Sequence, residues 1–241
     1  MEGFFVAQQS HSNYAKTILS VPSTLNMDYV DTFAPGLDDS KFWWLMEPFI
    51  DHSEVRTLLK SQGYQTVSFS TNWSLTDMNS ADIHLAAFPV ELTDFEQYLL
   101  QTTPLRLSQP FLQDSASVFT SETQRRTILH TLGALDDFVS DPDPVFVFAH
   151  ILLPHPPFVL DAEGKPVQSA TDFSFKDAGD FEGSSEEYRK GYKGQVEFLN
   201  SRLQEILTTI LQQSNTPPII IIQADHGSGL LAYFASVEKT C

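Results

Sequence analysis

The sequence predicts an α/β fold, a doubly wound and mostly parallel sheet with helices on both faces, formed by one domain over residues 1–241. Three observations predict it. Strand-like and helix-like segments alternate along the chain. Two near-continuous apolar runs, "PVFVFAHILL" and "PPIIII", have the character of strands covered on both faces. An apolar fraction of 41% over 241 residues supplies a sizeable core, with no internal repeat and no low-complexity tract.

The elements follow in chain order. "FFVAQQS" (4–10) reads as a short strand. "KTILSVPSTLNMDYV" (16–30) places Ile18, Leu19, Leu25 and Met27 at roughly helical spacing, with Pro22 in the first turns or at a kink. "SEVRTLLKSQ" (53–62) is a helix with Ser53 as N-cap and Gly63 as its stop, followed by the strand "YQTVSFS" (64–70). A second strand, "ADIHLAAF" (81–88), comes after a polar loop. "SETQRRTILHTLGALDDFVS" (121–140) carries Ile128, Leu132, Leu135 and Phe138 on one face, and Ser121 with Gln124 has the capping pattern. "PVFVFAHILL" (144–153) is the next strand, and an irregular Pro-, Gly- and Asp-rich segment (154–183) is a functional loop by its length. The longest helix begins at Ser184 or Ser185, presents Tyr188, Tyr192, Val196, Leu199, Leu203, Ile206 and Ile210, and is stopped by Pro217. "PPIIIIQAD" is the last strand. The aromatic cluster "KFWWLMEPF", with Phe42, Trp43 and Trp44, reads as core packing rather than a lid.

Charge narrows the partners. With 31 acidic against 14 basic residues and a net charge of -17, the surface repels nucleic-acid phosphates and anionic membranes and favours cations. The single cysteine, Cys241, excludes an internal disulfide and a cysteine-based zinc cluster. No apolar run reaches 18 residues, so no transmembrane segment is expected, and "MEGFFVAQQSHSN" lacks the basic and apolar regions of a signal peptide.

Ligands of open parallel sheets gather beyond the carboxyl ends of the strands, where three polar clusters fall. Thr17 stands at the start of the first helix, either as an N-cap or as a hydroxyl that helix amides and a cation stabilise as an alkoxide. "HILLPHPPF" holds His150, which reads as a core histidine inside the strand, and His155, a ligand or substrate contact pinned between prolines. In "QADHG", Asp225 and His226 offer a carboxylate and an imidazole, ligands suited to zinc, manganese or magnesium, beside a glycine that permits close backbone approach. Tyr192 and Gln195 read as packing residues on the long helix, and no motif links His11 to the site.

"NYAKTILSVPSTLNMDYV", "HILLPHPPF" and "IIIIQADHG", in that order and with the helix "YKGQVEFLNSRLQEIL" before the last, resemble the alkaline phosphatase superfamily. Within it the sulfatase-like branch of lipoteichoic acid synthases, phosphoglycerol transferases and phosphoethanolamine transferases is most similar. The resemblance implies Thr17 as nucleophile and metal ligand, Asp225 and His226 as metal ligands, and His155 as a contact to the transferred group or a second metal. It also implies a divalent zinc, manganese or magnesium cofactor. The implied substrate is a phosphate or sulfate ester, on a lipid head group or a glycan. The Cys/Ser-x-Pro-x-Arg motif of formylglycine sulfatases is missing near Thr17, which favours phosphoester transfer over sulfate-ester hydrolysis. The family places another carboxylate ligand well before the nucleophile, where this chain has only Glu2, and continues past the Asp-His-Gly strand. The resemblance therefore leads to the expectation of a piece of a larger, membrane-anchored enzyme working on the extracytoplasmic face. A catalytically inactive remnant and an acidic α/β interaction module are the alternative readings.

Overall fold

The structure, a computed structural model, describes residues 3–37, 43–112, 116, 120–139, 143–167 and 181–229. Three strands, β1 (Gln65–Phe69), β2 (Ile83–Leu85) and β3 (Val145–Phe148), form an open, all-parallel sheet in the order β2-β1-β3. Thr66, Val67, Ser68 and Phe69 of the central strand are all buried, so both of its faces are covered. Ser68 lies opposite both His84 and Phe148, which aligns the carboxyl ends of the three strands along one edge.

The principal helices are α1 (Thr17–Asn26), α2 (Glu54–Ser61), α3 (Asp94–Thr102), α4 (Ser121–Ala134) and α5 (Ser185–Gln213). Ile18, Val21 and Leu25 form the buried stripe of α1, spaced three and four apart as a helix face requires. Val21 and Leu25 pack with Ile50 and Met78 against Phe146 and Phe148, fixing α1 on the sheet. Pro22 is tolerated inside the helix, where the Asn26 side-chain amide donates to the Pro22 carbonyl (2.8 Å) and to the Phe49 carbonyl (2.7 Å). Ser53 caps α2 by accepting from the Arg56 amide, and Gly63 at φ 86° turns the chain into β1.

A second core joins α4 to α5 through Ile128, Leu132, Leu153, Val159, Leu160, Phe198 and Ile206. A side chain on Gly191 would overlap the Phe158 ring, so glycine here lets the 153–160 segment lie directly on α5.

Several expectations need correction. Residues 4–10 form no strand, and Phe5 and Val6 are exposed. The segment 217–225 likewise forms no strand; Ile219 is 94% and Ile221 79% exposed. Apolarity alone does not make a strand: the backbone needs a neighbouring ladder, and two prolines remove donors from this one. β3 ends at Phe148, which puts His150 past the strand instead of inside it. The cap of α4 is Thr120, one residue earlier than Ser121, accepting from the Thr123 amide at 3.1 Å. Trp44 is 57% exposed rather than core, whereas Glu2, Phe42, the segment 168–180 and Cys241 lie outside the described residues. Helix α3 is absent from the elements expected of the sequence, although its Thr93–Glu96 capping box is written in "TDFE". No described helix is long and apolar enough to cross a membrane.

Candidate active site

Thr17 is the first residue of α1, and the N-cap position before it belongs to Lys16, which makes no side-chain cap. The Thr17 hydroxyl is therefore not spent on its own helix. It lies 3.1 Å from His226 Nε2, a contact between residues 209 apart in sequence. One turn further along α1, Ser20 donates to the Asp225 carbonyl at 2.5 Å. The start of α1 and the end of the isoleucine run are thus held together by two side-chain contacts.

The electrostatics of the pair follow from this placement. Burial pushes the Asp225 carboxyl up, but the Thr17 hydrogen bond and the imidazoles of His150 and His226 outweigh it and hold the group below the ordinary carboxylate range. His226 Nε2 stands 3.4 Å from Asp225 Oδ2, and its Nδ1 is 2.7 Å from the Gly227 carbonyl. A carbonyl only accepts, so Nδ1 carries a proton toward Gly227, and in the neutral ring Nε2 presents its lone pair. The Thr17 hydroxyl then sits between two acceptors with one proton to give. A cation among the three groups would satisfy all of them, so this donor set suits a hard or borderline divalent metal. Among the described residues no three His, Cys, Asp or Glu side chains group closely enough to hold an ion by themselves.

His155 is placed differently. Its Nδ1 faces the Pro156 carbonyl (2.5 Å), and the segment around it is held by Gln195 of α5. Gln195 is wholly buried; its Oε1 accepts from the Val159 amide (3.0 Å) and its Nε2 donates to the His155 carbonyl (3.4 Å). Seven residues earlier on the same helix face, buried Tyr188 contacts Ser228 through hydroxyls 3.1 Å apart and packs edge-on against Phe158. One helix face therefore positions both the His155 segment and the turn after His226. Tyr192 stacks on Tyr188, the packing role its spacing predicts.

His150 is the residue that sequence reasoning undervalued. Burial pushes its pKa down, opposed by Asp225 and reinforced by His155 and His226, so it is electrostatically linked to every histidine and carboxylate of the site. Its Nδ1 is shut off from solvent without a partner, although the residue as a whole is only half-buried. It is neither a strand residue nor a satisfied one. The readable signal was its place at the carboxyl end of the apolar run, where the ligand crevices of open parallel sheets form. No family model, curated protein or solved structure matches the chain.

Proposed function

We propose that the chain carries a metal-dependent phosphoester transferase or hydrolase site with Thr17 as nucleophile, on an alkaline phosphatase-like, doubly wound fold. The single observation that carries this reading is the Thr17 hydroxyl between Asp225 and the Nε2 of His226, drawn from opposite ends of the chain. Asp225, His226 and the Thr17 oxygen would hold the ion, which supplies Lewis-acid stabilisation of developing negative charge. With the Nε2 lone pair of His226 taken by the ion, the Asp225 carboxylate is the flanking acceptor left for the Thr17 proton. As Oγ1 forms its bond to phosphorus in line, the bond to the leaving alkoxide breaks and that oxygen takes up a proton. Water or an acceptor alcohol then cleaves the phosphothreonine ester. The site's position at the N-terminus of α1 favours negative charge on the transferred group, and His155 and His150 are the nearby imidazoles suited to its equatorial oxygens.

The test is calorimetric titration of the full chain with zinc and manganese, beside the Asp225→Ala variant, followed by a chromogenic phosphodiester. Stoichiometric binding lost in the variant, with metal-dependent turnover, is expected. A folded protein that binds neither ion would end the metal-site reading.

A second reading, an acidic interaction module, draws on a different feature. Phe95 and Tyr98 of α3, with Leu107 and Phe111 just beyond it, stand exposed together on one local stretch. Concentration-dependent association abolished by Phe95→Ser and Phe111→Ser would support that reading.

A further inference from the structure

Between α4 and the carboxyl ends of β1 and β3 lies a small cavity of about 10 Å³, lined by Thr71, Gln124, Thr127, Thr131 and His150 among others. Its walls are short of partners. Gln124 is buried, yet neither its amide nitrogen nor its amide oxygen has a hydrogen-bond partner; His150 Nδ1, on the same cavity, has none either. Thr127 Oγ1 accepts from the Asn72 side-chain amide, which leaves its own proton to give. Buried polar atoms are nearly always hydrogen-bonded, so three without partners around one small cavity point to a bound group that pairs with them. The volume is close to that of a single water-sized sphere, and a buried water makes about three hydrogen bonds, the number of unpaired atoms on these walls.

We propose that this cavity is a specific site for one buried water that bridges the Gln124 amide to His150 Nδ1, making Gln124 the positioning residue of His150. A water that accepts from the Gln124 amide N–H and from the Thr127 hydroxyl has its own protons left to give, so it donates to Nδ1 and the ring proton sits on Nε2, a choice an apolar neighbour could not impose. With Nδ1 engaged, the imidazole is fixed in one tautomer and one ring orientation, and Nε2 is the nitrogen left for chemistry, the usual role of groups behind a functional histidine. Burial lowers the pKa of the ring and so favours the neutral form, in which the choice of tautomer has meaning. The inference rests on the phosphotransfer reading only for the use made of His150, not for the water or the tautomer.

The test reads the imidazole directly. In the full-length, metal-free protein, long-range ¹H–¹⁵N correlation of the His150 ring should give two well-separated nitrogen shifts of a single neutral tautomer, and rotating-frame water cross-peaks should connect a long-lived water to the Gln124 side-chain amide. In Gln124→Met, similar in length but unable to hydrogen-bond, the two nitrogen shifts should move toward each other as tautomers mix, with that long-lived water lost from the cavity. Unchanged His150 shifts in a folded Gln124→Met protein would overturn the proposal. Should that variant fail to fold, absence of the water cross-peak to Gln124 in the wild-type protein overturns it alone. Neither readout uses metal or turnover, so failure of the metal titration leaves this outcome separate.

Discussion

The two ends of the parallel sheet are built on opposite terms. At the amino end, buried Arg56 donates to the Asp51 carbonyl and to the Ser80 hydroxyl and carbonyl, and faces the Asp51 carboxylate at 3.6 Å. Beside it Asp82 accepts from the Thr66 amide (2.9 Å) and from Lys60 (3.0 Å), and Asp51 from the Ser80 amide (2.8 Å). Charge there meets opposite charge and closes the sheet. At the carboxyl end, Thr17, Asp225 and His226 offer more acceptors than protons, and Gln124 and His150 keep atoms without partners. At the amino end Arg56 Nε alone of this cluster is buried without a partner, whereas at the carboxyl end three such atoms of Gln124 and His150 face one cavity.

Mutations at the two ends should separate these roles. The largest effect is expected at the carboxyl end, where Thr17→Ala removes the proposed nucleophile: on the phosphotransfer proposal, phosphodiester turnover should fall on the order of 10⁴-fold, as when a member of a catalytic unit is deleted, with little change in the urea midpoint. Retained turnover in Thr17→Ala would transfer the chemistry to another group. The next largest belongs to the amino end. Arg56→Ala leaves Asp51 and the Ser80 carbonyl without their cation and should cost about 3–5 kcal/mol in urea unfolding, while metal affinity per folded molecule stays the same. Loss of metal affinity with full stability would invert the comparison.

How much of this was legible follows the same division. Local signals were readable: the Ser53 cap, the Gly63 stop and the Ser184 start of α5 each depend on residues within a few positions, whereas the stripe expected of α1 held for Ile18 and Leu25 but missed Val21 and included Met27, which lies past the helix end and is exposed. The motif residues Thr17, Asp225 and His226 were picked out by their places at element ends, and the structure puts them together. What sequence could not supply was pairing at long range. Four isoleucines read as a core strand, yet whether a ladder forms beside them depends on backbone far away along the chain, and Ile219 stands exposed. Gln124 looked like half of a capping box because the pattern Ser121–Gln124 is local; its actual neighbour, His150, is not.

Proton binding offers a third probe, of intermediate size. Burial pushes Asp77, below the Thr71 turn, up to about 6 against the hydrogen bonds it accepts from Thr71. His84, flanked by Ser68 and Glu91, is raised by its Glu91 hydrogen bond against burial. Both groups bind protons more tightly folded than unfolded, so their stabilisation is complete below the unfolded values and is lost as pH rises through the folded ones. The melting temperature should fall between about pH 4 and pH 6 through Asp77, and again above the ordinary histidine range through His84. Asp77→Asn should flatten the first decline and leave the second; an unaltered slope would mean that Asp77 does not titrate in this window.

The smallest effect is expected at two capping boxes of the same design that serve different ends. Thr93 and Glu96 open α3, and Ser184 and Glu187 open α5, each by reciprocal side-chain and backbone bonds. Replacing either cap by alanine should cost about 1 kcal/mol of stability. Only the second has a route to the site: Ser184 accepts from the Tyr188 amide through its carbonyl (3.0 Å), and the Tyr188 hydroxyl meets Ser228, two residues past His226. Ser184→Ala should therefore speed amide exchange at Tyr188 and weaken metal binding a few-fold, whereas Thr93→Ala of equal thermodynamic cost should leave metal binding alone. Equal metal affinities in the two variants would show that the first turn of α5 frays without reaching the 225–228 turn, and that the site is held from the α1 side by Ser20 and Thr17.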